Sequence, residues 1–165
     1  MSRNPAKLIP ADFSQLPGLD ALEAVTIKAG GPSKKTTATG YAVTSDQMPP
    51  RSLGLSRDAL EKHRFDGEVG QTLVLAQEDG TVKIAVGLGR AEEVDANVLR
   101  DSAAAFARAA ADHSDIAFVI SDALEEEDAA RFLTEGILLA RYRYVELKNE
   151  PKHTALSSVM LDISA

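Results

Sequence analysis

Gly87 and Gly89 are the residues of this sequence whose type and spacing most suggest ligand chemistry. They follow an apolar run typical of a strand and precede a helical pattern, a position where free backbone amides can hold a phosphate. A complete dinucleotide-binding fingerprint would need a third glycine at position 92, which is a glutamate. The acidic Glu93 beside it would repel a pyrophosphate. The pattern favours a tight turn with close helix packing, and leaves ligand binding at Gly87 and Gly89 as a weaker alternative.

Residue types that bind metals are scattered along the chain. His63, His113 and His153 lie far apart, and no two histidines have the spacing that places two imidazoles on one helix face. The acidic run at 125–128 resembles a cluster, but consecutive helical residues point in different directions, and negative charge is typical of a helix N-terminus. The sequence has no cysteine and no Gly-x-Ser-x-Gly segment. We therefore predict no catalytic, cofactor-binding or metal-binding residue in this chain.

Arginine and tyrosine alternate at 141–144, a pattern that could stack on nucleic acid bases. Four residues at a helix end are too few for such a surface. The chain also carries 18 basic against 25 acidic side chains, a net charge of −7, which repels phosphate backbones. We expect these residues to pack and to complement the helix dipole, and we predict neither a nucleic acid nor a membrane as partner.

The length and composition fit one globular domain. The chain has 165 residues, of which 44% are hydrophobic and 26% charged, in the range of ordinary folded proteins. No apolar run approaches the roughly 20 residues of a membrane helix, so we expect a cytoplasmic protein. Prolines and a glycine without periodicity predict an N-terminal arm over 1–21, followed by one domain over 22–165.

The first half of the domain gives mixed signals. Branched residues over 22–29 predict a strand, and residues 41–44 predict a short second one. A loop is expected over 45–54, where consecutive prolines remove backbone donors. Ser56 is a good N-cap for a short helix over 57–63.

Stronger patterns follow. Two apolar segments, 72–76 and 81–87, flank an Asp-Gly pair in the connection 77–80, which predicts an antiparallel hairpin. Asp95 is a good N-cap, and the apolar spacing behind it predicts a helix to about residue 112.

The C-terminal half alternates strands and helices. Residues 116–120 are apolar on both faces, which suits a strand in the middle of a sheet, and residues 156–163 predict a final strand. Asp122 and Glu125 have capping-box spacing for a long helix over 123–143. This order predicts parallel strands joined by right-handed crossovers: a three-layer α/β fold with a mixed, mostly parallel sheet between helices.

Four segments together resemble the N-terminal domain of the leucyl (cytosol) aminopeptidase family. The resemblance extends over residues 65–163, while residues 1–64 match only loosely. The matching segments are Phe65–Leu73, Val86–Arg90, Leu99–Ala104 and the helix end Thr134–Tyr144, with Lys148 close to a basic position of the family.

The resemblance implies a sheet similar to that of macro domains, and a catalytic site in another domain. In the family, two divalent metals (zinc, manganese or magnesium) lie in a C-terminal domain, and none of its ligands matches a residue of this chain. The resemblance further implies a homo-hexamer, in which the partners are the chain's own catalytic domain and the other subunits. DNA binding by some bacterial members is disfavoured here by the net charge of −7. A free-standing macro-like module that binds ADP-ribose or a nucleotide near residues 87–89 is the alternative.

Overall fold

The computed structural model describes residues 17–121, 126–143 and 154–164, which form one six-stranded sheet and four α-helices. In chain order the elements are α1 (Pro17–Glu23), β1 (Thr26–Ala29), β2 (Ala38–Val43), α2 (Arg57–Lys62), β3 (Thr72–Ala76), β4 (Val82–Gly87), α3 (Ala96–Ala109), β5 (Asp115–Ser121), α4 (Glu126–Arg141) and β6 (Ser158–Ser164). Short 3₁₀ turns occupy Arg51–Leu53 and Ala91–Glu93.

The sheet has the order β1-β6-β5-β2-β4-β3. All neighbouring pairs are parallel except β3 with β4, which form the predicted antiparallel hairpin. The mixed, mostly parallel sheet is therefore confirmed, and β5 lies in its interior as predicted. β4 and β5 do not pair directly, because β2 lies between them and pairs with both.

The structure extends β2 towards its N-terminus compared with the prediction. The sequence predicts a strand over 41–44, but Ala38, Thr39 and Gly40 also belong to it and are buried. A Cβ at Gly40 would lie 2.7 Å from a ring carbon of Phe106 and 2.8 Å from one of Phe118. The centre of the sheet thus requires residues that are small, which is why this stretch lacks the apolar character expected of a buried strand.

The prediction of a strand from residue 22 is wrong at its start. Leu22 and Glu23 end helix α1, and the strand begins only at Thr26. Leu, Glu and Ala are good helix formers, and they favour a helix up to residue 24. The β-branched residues begin at Val25 and favour a strand from there. Residues 17–21 of the predicted arm are likewise helical, and residues 1–16 lie outside the described ranges.

Helices cover both faces of the sheet, as predicted. On one face α3 and α4 pack over a large core that includes Phe106, Phe118 and Leu133, all fully buried. On the other face a smaller core holds Leu60 of α2 and Phe65 against the side of the sheet that carries Tyr41. The two cores share the central strands, so the molecule has three layers.

Local signals at several element ends are confirmed. Ser56 Oγ accepts a hydrogen bond from the amide of Ala59 at 3.3 Å, and Asp95 caps α3 by accepting from the amide of Asn97 at 2.8 Å. The hairpin turns at Asp79, which accepts from the Thr81 amide at 3.0 Å. The capping box at 122 and 125 lies outside the described residues. Within the described ranges, no helix combines the length and apolar character needed to cross a membrane.

Candidate functional site

The predicted ligand candidate, residues 87–89, lies at the carboxyl end of β4. All three amides donate to carbonyl oxygens of this chain: Gly87 to Gln71 at 2.8 Å, Leu88 to Val43 at 3.0 Å and Gly89 to Gly67 at 2.8 Å. A phosphate at this turn would therefore have to compete with three existing hydrogen bonds.

The same turn is closely packed. A Cβ at Gly87 would lie 2.0 Å from the carbonyl oxygen of Glu68, and one at Gly89 would lie 2.9 Å from a methyl group of Val69. Gly89 also has φ +73°, which disfavours other residues. Ser102 Oγ donates to the Gly87 carbonyl at 2.8 Å and so ties α3 to the end of β4. The geometry supports the turn and packing interpretation, and ligand binding at Gly87 and Gly89 stays a prediction.

The side chain of Gln71 organises the segment that packs against this turn. Its Oε1 accepts from the amides of Asp66 at 2.8 Å, Gly67 at 2.9 Å and Glu68 at 3.3 Å. Its Nε2 donates to the Arg64 carbonyl at 2.8 Å. Sequence reasoning missed this role, because a lone glutamine gives no signal until the backbone around it is known.

The loop after β2 lies beside the same turn. Arg57 donates through Nη2 to the carbonyl oxygens of Thr44 and Gln47, which holds this loop against α2. Its Nη1 is buried and has no hydrogen-bond partner in the described part of the chain. Ser45 connects the loop to the turn, because its amide donates to the Gly89 carbonyl at 2.8 Å.

Two of the three histidines lie in the described part of the chain, each after a different helix. His63 is the C-cap residue of α2, and His113 follows α3 with its Nδ1 3.0 Å from Thr37 Oγ1. His153 lies outside the described ranges. Among the residues that the structure describes, no three His, Asp or Glu side chains are grouped as a metal site would need.

A hydrogen-bonded carboxylate lies at the amino ends of β5 and β6. Asp115 accepts from Ser158 Oγ at 2.6 Å and from Ser114 Oγ at 2.7 Å. These bonds, that from Ser158 foremost, hold the pKa of Asp115 below its usual range. Because both carboxylate oxygens are engaged within the chain, the cluster connects two strands.

Arg141 of the arginine-tyrosine pattern is a packing residue. It is only 8% exposed and donates to three carbonyl oxygens: Ala110 at 2.7 Å, His113 at 3.0 Å and Thr154 at 2.8 Å. Burial lowers the pKa of its guanidinium. Arg141 therefore packs as predicted, but it satisfies the carboxyl end of α3 rather than that of its own helix. Residue 144 lies outside the described ranges.

Glu135, from the same motif, joins the two large helices. It accepts from Arg100 Nε at 2.6 Å and from Arg131 Nε at 3.0 Å. These hydrogen bonds, first that from Arg100, lower the pKa of Glu135. Two residues of the helix-end motif, Glu135 and Arg141, thus contact α3 and the residue at its carboxyl end.

Comparison with known proteins identifies the family. Residues 32–151 match the family model described as the cytosol aminopeptidase family, N-terminal domain. The chain belongs to this family. The resemblance predicted from the motifs is therefore confirmed, and the match begins earlier than residue 65 and ends before β6.

Relatives in this family cover far more sequence than this chain. A probable cytosol aminopeptidase of Synechocystis sp. is 34% identical over 129 residues, which are 73% of this chain and 26% of the relative. One from Rippkaea orientalis is 28% identical over 132 residues, 75% of this chain and 27% of the relative. The chain spans about a quarter of the length of these relatives.

Solved structures show the same fold. The bottromycin maturation enzyme BotP superposes with a TM-score of 0.63 at 23% identity, covering 76% of this chain and 27% of that enzyme. A second structure of BotP, in complex with Mn, gives a TM-score of 0.59 at 24% identity, over 78% of this chain and 26% of the other. A mutant of tomato leucine aminopeptidase gives 0.69 at 21% identity, over 96% of this chain and 34% of the other. These TM-scores establish a common fold, and at identities below 25% the likeness extends to the fold alone.

Proposed function

We propose that this chain is the non-catalytic N-terminal domain of a leucyl aminopeptidase, a metal-dependent enzyme that releases N-terminal amino acids. The observation that carries the proposal is the family match, which is to the N-terminal domain and covers residues 32–151. The chain corresponds to about a quarter of its aminopeptidase relatives. The two divalent metals, zinc, manganese or magnesium, are then held by a catalytic domain outside this sequence.

We assign this domain a role in assembly of a cytoplasmic homo-hexamer. Its partners are the enzyme's own catalytic domain and the other subunits. The surface supports such contacts, because Leu139 on α4 is 74% exposed and Tyr142 beside it is exposed as well. Exposed aromatic and aliphatic side chains on one helix end are typical of residues that a subunit interface buries.

Hydrolysis of leucine p-nitroanilide by the purified chain tests the non-catalytic assignment. We expect no release of nitroaniline above the buffer rate, with or without added manganese, zinc or magnesium. Turnover that co-purifies with the chain and is abolished by a chelator would show that this domain holds the active site.

Full-length protein tests the assembly role. Leu139→Asp in the enzyme that includes the catalytic domain should shift its mass by light scattering from the hexamer to smaller species. Gln47, a polar residue that is exposed in the loop after β2, supplies the control Gln47→Asp, which should stay hexameric. An unchanged hexamer with Leu139→Asp would remove this surface from the assembly.

The second candidate function is binding of ADP-ribose or a nucleotide by a free-standing macro-like module. The buried Nη1 of Arg57 favours it, because this cationic nitrogen has no hydrogen-bond partner in the described ranges. ADP-ribose at about 100 times its Kd should stabilise the fold by about 2.7 kcal/mol, which is roughly 5–10 °C in Tm. A Tm that does not change with ADP-ribose would end this candidate.

A further inference from the structure

Strand β3 forms one edge of the sheet, and among the described strands it pairs with β4 alone. Its side chains alternate: those of Leu73 and Leu75 pack against the smaller core, whereas those of the other three residues are exposed. Val74 is 50% exposed, although Ile84, its partner across the ladder, is fully buried. This edge of the sheet therefore presents an apolar side chain at the surface.

The hydrogen bonds at the two ends of the ladder show which backbone groups of β3 face outward. The amide of Gly87 donates to the Gln71 carbonyl at 2.8 Å, and the amide of Gln77 donates to the Thr81 carbonyl at 2.9 Å. Because the residues of an antiparallel ladder alternate between bonding to the partner strand and facing away from it, the odd-numbered residues of β3 bond to β4. The residues whose amides and carbonyls point to the open edge are therefore Thr72, Val74 and Ala76.

This edge lacks the side chains that normally protect a sheet. Native proteins place charged residues, lysine above all, or proline on an edge strand, so that it does not pair with another chain. The segment 71–77 has the sequence Gln-Thr-Leu-Val-Leu-Ala-Gln and contains neither a charge nor a proline. Its open backbone groups are therefore free to bond to another extended strand.

We propose that β3 pairs antiparallel with β3 of a second copy of this chain, about a two-fold axis at Val74. The segment 71–77 reads almost the same in both directions, so this axis places Leu73 opposite Leu75 of the copy. Val74 meets its own counterpart, and glutamines meet at both ends. The two directions differ only at positions 72 and 76, which are a threonine and an alanine. The side chains of the two strands thus match in size and polarity.

The same axis matches the open backbone groups. Val74 exchanges hydrogen bonds with its counterpart, and Thr72 does so with Ala76 of the copy, which gives on the order of six backbone bonds. A shift by one residue would set open groups of one strand against groups that already bond to β4. A shift by two residues would leave one end of the strand unpaired. The backbone pattern therefore selects the register centred on Val74.

Charge and area determine how strong this pair is. Each copy has a net charge of −7, but the strand itself is uncharged, so the pairing places no like charges opposite each other. Two short strands bury less than the roughly 1,200 Å² that is typical of stable complexes. We therefore expect a weak dimer that forms as the protein concentration rises.

The pairing does not rest on the proposed function. It uses β3, whereas the assembly role is assigned to the exposed side chains of Leu139 and Tyr142 at the end of α4. Failure of the pairing would leave the assignment as an N-terminal domain unchanged.

Single cysteines test the register, because the chain has no cysteine of its own. Val74→Cys places two thiols at the axis, with a Cα separation of about 5.5 Å that suits a disulfide. Thr72→Cys is the matched control, since residue 72 is equally exposed on the same strand but faces position 76 of the copy. Under mild oxidation of the full chain, Val74→Cys should form a covalent dimer at least tenfold faster than Thr72→Cys.

A mixture of Thr72→Cys and Ala76→Cys chains extends this test, because the axis brings these two positions together. The mixture should form a disulfide-linked heterodimer at a rate close to that of Val74→Cys. Equal rates for Val74→Cys and Thr72→Cys alone would overturn the proposal.

A pair of charge variants tests the association without cross-linking. In Thr72→Lys with Ala76→Glu, each lysine faces a glutamate of the copy, whereas in Thr72→Lys with Ala76→Lys two lysines face each other. Sedimentation velocity from about 10 µM to about 1 mM, where small interfaces associate, should show dimer for the unchanged chain and the first variant. The second variant should stay monomeric, although its lower net charge reduces the general repulsion between copies. An unchanged chain that is monomeric throughout, or equal association of both variants, would contradict the proposal.

Discussion

At the scale of single residues, Arg141 connects three parts of the chain that are distant in sequence. Its guanidinium reaches the end of α3, the turn that follows at His113, and Thr154 just before β6. All three acceptors are backbone carbonyls, so no partner side chain is involved. The planar guanidinium of arginine has enough N–H donors to serve all three. Arg141 therefore acts as a structural cap for α3.

Replacing Arg141 by alanine should destabilise the fold by about 3 kcal/mol, because it leaves carbonyl oxygens without the donors that Arg141 supplies. Urea unfolding followed by circular dichroism measures the effect. Arg143→Ala is the matched control, since Arg143 is exposed two residues away, and its change should stay within about 0.5 kcal/mol. Similar losses for both variants would show that the buried contacts of Arg141 contribute nothing.

Asp115 makes the stability depend on pH at the acidic end. Its folded pKa is lowered, so ionised Asp115 stabilises the fold above its unfolded pKa of about 3.9, and this contribution disappears as pH falls through the folded pKa. Ser158→Ala removes the main hydrogen bond and should raise the pKa of Asp115 in an NMR titration. Its destabilisation should be larger at pH 6 than at pH 2, whereas that of Ser56→Ala, an N-cap change, should be similar at both.

At the scale of elements, the crossing of α3 and α4 is set by Gly136. A Cβ there would lie 2.3 Å from the Arg100 carbonyl oxygen and 2.9 Å from the Ala103 Cβ. The alanines of α3 give the same closeness from the other side. Two large helices can therefore share one face of the sheet.

Gly136→Ala should lower the free energy of unfolding by about 1–3 kcal/mol through overpacking. The sign of the change in unfolding free energy is decisive, because a glycine-to-alanine change in an uncrowded helix stabilises the fold by about 1 kcal/mol. Chemical denaturation gives the value, with Leu139→Ala on the exposed side of α4 as a control expected to be nearly neutral. A more stable Gly136→Ala variant would mean that the helices can separate without cost.

The interior position of β5 gives a second prediction at this scale. Phe118 is fully buried, and its ring meets that of Phe106 edge to face with centroids 5.2 Å apart. Phe118→Ala should cost about 3–5 kcal/mol, close to the total stability of a small domain, and leave little folded protein. The thermal unfolding of the variant measures this cost, and a loss below about 1 kcal/mol would contradict the packing.

At the scale of the whole molecule, one sheet carries two cores on opposite faces. Leu60 of α2 and Leu133 of α4 belong to different cores, but both cores include residues of β2 and β4. Loss of either core should therefore destabilise the shared sheet.

Leu60→Ala and Leu133→Ala should each cost about 2–5 kcal/mol and lower the Tm of the same single transition. Calorimetry together with circular dichroism checks this, because coincident transitions identify one cooperative unit. Two separate transitions, one for each variant, would show that the faces of the sheet unfold independently.

The sequence by itself determined the elements with local signals and, through four spaced motifs, the family. The caps at Ser56 and Asp95 and the hairpin at Asp79 depend on residues within a few positions of one another, so they are visible before folding. Glu135 and Gly136 of the helix-end motif likewise lie side by side in the sequence, and both contact α3. Such short-range patterns identify what an element is.

Only the tertiary structure decided which elements meet. β2 lies between β4 and β5 in the sheet. Gly40 of this strand has to be small because the rings of Phe106 and Phe118, which are distant in sequence, pack against it. Arg141 reaches its three acceptors only once distant segments come together. Caps and turns depend on side chains a few positions apart, so the sequence shows them directly. Contacts between segments that are distant in sequence depend on how the complete fold packs.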